Sequence, residues 1–138
     1  MLEFGEKIPG QNYLQRPGAY AVIEKDGLYA VVKNPKSYFL LGGGIEGDET
    51  PEEALRREAL EEIGMSIEIG EKIGVATQHL YVPEADLYVT KEGHFYKVTL
   101  LDEVDPNSEP DHELQWLPKE EAIQKIFHQS HQWAIEQA

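Results

Sequence analysis

The spacing of apolar positions along this chain switches between a strand period and a helix period. Ala19 to Lys25 and Leu28 to Lys33 are two β-rich runs separated by Asp26-Gly27, a strong two-residue hairpin signal. Tyr38-Phe39-Leu40-Leu41 is a third short run, and it leads into Gly42-Gly43-Gly44, which reads as the opening of a loop. From Pro51 onward the spacing becomes helical. At about 100° per residue, Leu55, Ala59, Leu60 and Ile63 share one broad arc for the core. Thr50 is placed to cap this helix, Pro51 to open it and Glu53 to complete a capping box. Gly64 stands where a left-handed residue ends a helix.

The strand period returns at Ser66 to Ile69 and Lys72 to Gln78, with a break at Gly70-Glu71. It recurs at His94 to Leu101 and at Leu114 to Leu117. Ala122, Ile123, Ile126, Phe127, Trp133 and Ala134 predict one closing helix from about Pro118 to the end. Gly10 to Pro17, Val82 to Thr90 and Asp105 to Asp111 read as loops that could shape a pocket. The sum is a mixed α/β chain.

Length adds a boundary: 138 residues suit a single domain, residues 1–138, with a sizeable core. The absence of cysteine excludes disulfides and thiolate metal sites. The opening MLEFGEKIPG lacks a basic stretch followed by an apolar run, and no segment is apolar enough to span a membrane. The expectation is a cytoplasmic protein with no membrane partner. A net charge of −14 opposes DNA or other polynucleotide binding, which relies on basic stripes. An anionic small molecule stays compatible with that charge if its phosphates arrive with divalent cations. Arg16, Lys33, Lys36 and Lys97 are the basic residues for direct phosphate contacts.

Candidate chemistry concentrates on the first helix. Glu58, Glu61 and Glu62 stand at i, i+3 and i+4, which puts three carboxylates on one side of the helix. Like charges so placed repel by a few tenths of a kcal/mol per pair, and a cation would remove that cost. Glutamates at this spacing also make ordinary solvated helix faces. The cluster alone leaves both readings open.

The residues around it narrow the choice. Gly43, Glu49, Arg57-Glu58, Ala59, Glu61-Glu62, Gly64 and Met65 fall at fixed offsets along this segment. The pattern resembles the Nudix hydrolase signature, with every Gly, Glu and Arg position filled. Ala59 is smaller than the usual aliphatic, and Leu41 stands where many relatives have proline before the first glycine. The resemblance implies an α/β/α sandwich with a mixed sheet between helices. It implies a divalent-metal-dependent hydrolase that cleaves a diphosphate linkage in a nucleoside diphosphate joined to some group X.

Further implications follow from the resemblance. Glu58, Glu61, Glu62 and the Gly42 carbonyl would bind Mg²⁺, or alternatively Mn²⁺, ions that favour hard oxygen ligands. Arg57 would pair with Glu49 and fix the preceding loop to the helix, turned away from the metal. The general base varies among relatives: Glu61 belongs to the signature, and Glu49 is a weaker candidate as base or outer ligand. Glu113, shortly before Trp116, resembles the extra acidic residue many relatives carry beyond the signature, with Asp111 next. His112 is a lesser candidate for general acid–base chemistry and is expected, like His79 and His94, as a loop residue, with His128 and His131 as packing residues of the last helix. The expected partner is a small nucleotide-type substrate, acted on by a monomer or homodimer. A nucleoside triphosphate, oxidised forms included, leads. Dinucleoside polyphosphates, nucleotide sugars, an RNA 5′ end and a non-catalytic nucleotide sensor are the alternatives.

Overall fold

The computed structural model describes residues 2–105 and 110–138. Nine strands and three helices are defined among them. β1 (Leu2–Phe4), β2 (Tyr13–Val22), β6 (Leu41–Gly44), β7 (Met65–Val82) and β8 (Leu87–Glu103) form a five-stranded mixed sheet ordered β1-β7-β8-β2-β6. β2 and β8 run parallel, as do β1 and β7, while β7–β8 and β2–β6 are antiparallel. β3 (Glu24–Lys25), β4 (Leu28–Lys33), β5 (Tyr38–Phe39) and β9 (Glu113–Pro118) form a smaller antiparallel sheet around β4. The helices are α1 (Pro51–Ile63), α2 (Lys119–Lys125) and α3 (Gln129–Gln137). Among the described residues, no helix is long and apolar enough to cross a membrane.

Alternation along the strands divides the core in two. Ala19, Ala21, Ala30 and Val32 point to one side and pack with Leu55 and Ala59 of α1. Val22, Tyr29 and Val31 point to the other and pack with Ala122, Ile126, Ala134 and Ile135. The result is the α/β/α sandwich, with its sheet layer split into two sheets.

Several elements match the pattern and others depart from it for identifiable reasons. Asp26 and Gly27 both have positive φ, 54° and 80°, as a tight hairpin of the twist-matched kind requires. The run Ala19 to Lys25 is cut at Ile23, because β2 belongs to the large sheet and β3 to the small one. Gly42-Gly43-Gly44 is strand, not loop: the three pair with Tyr20, Ala19 and Gly18 of β2. Glycine's weak strand preference is overridden by close approach, since a Cβ on Gly42 would lie 2.1 Å from the Ala19 carbonyl oxygen. The break expected at Gly70-Glu71 is a register shift inside one continuous β7.

Two expected loops are shorter than their residues suggested. β2 begins at Tyr13, and β8 begins at Leu87 after a tight turn from Val82. Of the expected Asp105 to Asp111 loop, residues 106–109 lie outside the described residues. The closing helix is two helices. Ile126 is extended, and Phe127 N–H donates to the Tyr38 carbonyl at 3.0 Å, so the chain leaves the helix to touch β5. Both halves then pack on the same side, which preserves the apolar spacing.

Candidate active site

Helix α1 carries its predicted caps: Thr50 Oγ1 accepts from Glu53 N–H, and the Glu53 side chain accepts from Thr50 N–H. Gly64 ends it at φ 65°, and its carbonyl accepts from the N–H groups of Val104 and Asp105. Capping fixes the register of the carboxylates around the axis. With Leu55 at the centre of the buried face, Glu62 lies about 20° away, Glu58 about 60° and Glu61 about 120°, all on one side. Leu60 lies about 140° around the other side. Burial follows those angles. Glu62 is 8% exposed overall, while Leu60 is 40% exposed and does not join the core as expected.

Glu62 and Glu58 therefore border a cavity of about 750 Å³, whereas Glu61 is not among its lining residues and has a side chain 48% exposed. Glu62 Oε1 accepts from Gly42 N–H at 2.9 Å. Gly43 passes so near Glu58 that a Cβ there would sit 2.6 Å from the carboxylate carbon. Here a glycine strand is needed to let the helix carboxylates approach the backbone. Tyr20, also lining the cavity, has its hydroxyl pKa raised by burial first and then by Glu62 and Glu58. Both carboxylates thus direct negative potential at the same place.

Arg57 holds the junction together with all five of its N–H donors. Nε donates to Glu49 Oε2 at 2.8 Å and Nη2 to Glu49 Oε1 at 3.0 Å, a two-pronged pair. Nη2 also donates to the Gly44 carbonyl at 2.8 Å. Nη1 donates to Glu58 Oε1 at 3.0 Å and Glu61 Oε2 at 3.1 Å. Arg57 therefore faces the carboxylates as well as the loop, where only the loop was expected. The Arg57 hydrogen bonds, then the Glu46 N–H, hold the Glu49 carboxyl below the usual range. With both oxygens so engaged, Glu49 acts as an anchor for Arg57.

The structure exchanges one expected residue for another. Glu113 opens β9 beside Lys33, exposed and away from the cavity. The parity of β9 explains this. Leu114 and Trp116 pack toward α1, so Glu113 and Gln115 face the opposite side. His112, one residue earlier, lines the cavity, with Nε2 3.5 Å from Glu62 Oε2 and Nδ1 3.2 Å from Asp111 Oδ1.

Sequence reasoning also missed the far end of the cavity. His128 and His131 are buried there, 4% and 2% exposed, with Phe39, Leu40 and Lys91. His131 Nδ1 accepts from Leu40 N–H at 3.2 Å, and Lys91 Nζ lies 3.1 Å from His128 Nε2. Burial first, then Lys91, lowers the His128 pKa to about 3, so its ring is neutral and accepts from the ammonium. The available signal was two polar rings at i, i+3 interrupting an apolar helix face.

The acidic end presents carboxylate and backbone oxygens, the donor set that Mg²⁺ or Mn²⁺ favours. Among the described residues, no three acidic or imidazole groups converge on one point at ligand distance. Arg57 Nη1 donates to both Glu58 and Glu61 and so holds those two carboxylates to itself. Glu58 and Glu62, with Gly42 and Gly43 beside them, still fit a divalent cation by charge, hardness and access.

Comparison with known proteins agrees with this construction. Residues 14–137 match the NUDIX domain family. A nucleoside triphosphatase, NudI, from Enterobacter sp. (strain 638) is 42% identical over 62 residues, covering 40% of this chain and 44% of that protein. The matched part is thus under half the length of this relative. The fold is shared with a NUDIX hydrolase from Nitrosomonas europaea at a TM-score of 0.73 and 21% identity, covering 90% of this chain and 88% of the other. It is also shared with a MutT protein from Bacillus halodurans at 0.69 and 18% identity, covering 88% and 80%. This chain belongs to the NUDIX family, whose hydrolases act on pyrophosphate bonds.

Proposed function

We propose that this chain is a divalent-metal-dependent hydrolase of nucleoside triphosphates, releasing a nucleoside monophosphate and pyrophosphate. The observation that carries the reading is the cavity itself, about 750 Å³ and lined both by the carboxylates Glu58 and Glu62 and by the aromatic and cationic groups Phe39, His128 and Lys91. That volume suits a nucleotide, and the lining offers groups for both its phosphates and its base. The name of the Enterobacter relative supports the choice of a triphosphate. The reading includes a small-molecule substrate, a cytoplasmic setting and a monomer or homodimer.

Glu58, Glu61, Glu62 and the Gly42 carbonyl would hold Mg²⁺, which when bound would offset phosphate charge and make a water more acidic. The chain's own residues do the rest. Arg57 and Glu49 fix the β6–α1 junction, so that the helix carboxylates and the glycine backbone keep their spacing. Gly42 N–H orients Glu62. Glu61, which accepts from Arg57, is the signature carboxylate to which we assign the role of taking a proton from water. His112 borders the cavity beside Glu62 and limits how that carboxylate can turn.

Product analysis tests the reaction. Chromatography of nucleotide incubated with enzyme and Mg²⁺ should give monophosphate with pyrophosphate. Diphosphate with orthophosphate would reject the assigned bond.

A further inference from the structure

The far end of the cavity holds two cations side by side. β2 and β8 run parallel with Arg16 opposite Lys91, so both side chains leave the same face of the sheet. Both line the cavity. Among the described residues no carboxylate lies within ion-pair distance of either, although the protein has 26 acidic residues and a net charge of −14. Adjacent like charges on one sheet face are unfavourable, and a partly buried ammonium without an anion adds to the cost. Such an arrangement serves a ligand.

The surroundings show which part of a ligand. Lys91 shares the cavity with the apolar side chains of Val82, Leu87 and Val89 and with the rings of Phe39 and His128, whose centroids are 5.4 Å apart. A flat heteroaromatic ring fits such walls. His128 Nε2 accepts one Lys91 proton at 3.1 Å and so fixes the ammonium in place. The other two N–H groups of Lys91 remain to donate, and a lysine has no acceptor to offer. Arg16, more exposed, raises the positive potential at this end. A phosphate dianion placed among those apolar side chains would shed more hydration than a ring carbonyl would. Phosphates belong with the carboxylate end and its cation.

We propose that Lys91, positioned by His128, reads the substrate's base and selects rings bearing a carbonyl oxygen where competitors bear an amino group. An amino group would point donor at donor against the partly buried Lys91, the kind of mismatch that discriminates between bases. This rests on the nucleotide reading above and specifies the substrate class for it.

Monophosphates test the inference without hydrolysis, because they contain no diphosphate bond. Titration calorimetry would compare UMP with CMP and IMP with AMP, pairs that differ by oxo against amino at one ring position. Wild type should favour UMP and IMP by about tenfold or more. Lys91→Met should bring both ratios to within about twofold, chiefly by weakening the oxo partners. His128→Phe should narrow the ratios, and His128→Gln, which keeps an acceptor, should restore them. Circular dichroism melts would confirm that each variant is folded. Equal affinities within each pair in wild type would overturn the proposal. So would a uniform loss across all four nucleotides in Lys91→Met, which would make Lys91 a phosphate ligand. If base discrimination holds but no triphosphate is cleaved, the hydrolase reading fails and the assignment of Lys91 stands.

Discussion

Gly42 N–H donates to Glu62 Oε1 at 2.9 Å, and this bond joins the glycine strand to the helix that follows it. It ties a backbone group to a carboxylate that must also face the cavity. Two substitutions separate those duties. Glu62→Gln keeps an oxygen acceptor for Gly42 and removes the charge. Glu62→Ala removes both and leaves a shielded N–H unsatisfied, at a cost of about 1–3 kcal/mol. Both variants should lose at least about a hundredfold in kcat, but only Glu62→Ala should melt at a lower temperature. Steady-state rates and thermal melts check this together.

Arg57 makes five hydrogen bonds at the β6–α1 junction, two of them in a parallel pair with Glu49. Lysine keeps the charge but has no planar fork. Arg57→Lys should therefore lower kcat by roughly 10–100-fold, as expected for a group that orients ligands. Glu49→Gln should produce a smaller loss in the same direction. A metal titration should show weaker binding in Arg57→Lys.

The cavity exchanges Glu113 for His112, and the exchange can be measured. Glu113→Gln should turn over within about twofold of wild type, the usual reach of an exposed change remote from a site. His112→Ala should slow turnover by about tenfold or more, because it removes the ring beside Glu62. The reverse order would restore Glu113 to the auxiliary role its position before Trp116 suggested.

Glu113 also marks the limit of what could be read from residues alone. Helix α1 was legible to its caps, because Thr50, Pro51, Glu53 and Gly64 act through neighbours three or four residues away. The same holds for Asp26-Gly27, whose positive φ angles are a local demand. Which of His112 and Glu113 enters the cavity depends on the parity of β9, set by its pairing with β4 far back in the chain. Gly42 to Gly44 looked like a loop because the partner that makes them strand, Gly18 to Tyr20, is distant in sequence. Leu60 looked like core on spacing alone, until Glu62 took the buried position for the cavity. Lys91 carries no signal of its own in the sequence, since its meaning lies in Arg16 and His128 beside it.

His128 gives a pH dependence of stability. Its folded pKa is lowered to about 3 from an ordinary 6.5, by burial and then by Lys91. His131, buried beside it, is shifted the same way. In the window between those two values the unfolded chain binds the proton and the folded one does not, so stability falls as pH falls below about 6.5. At about 1.4 kcal/mol per pH unit, His128 alone should remove about 2 kcal/mol by pH 5. Urea unfolding at pH 7.5 and pH 5 should show a smaller acid loss in His128→Phe than in wild type.

The most direct test of the account is pyrophosphate release from a panel of nucleoside triphosphates with Mg²⁺, with Mn²⁺ and with chelator. Wild type should release pyrophosphate from at least one of them with either metal and from none with chelator, and Glu62→Gln should be inactive throughout. Turnover that survives the chelator, or an unaltered rate in Glu62→Gln, would contradict the metal-bearing role given to the carboxylate end of the cavity.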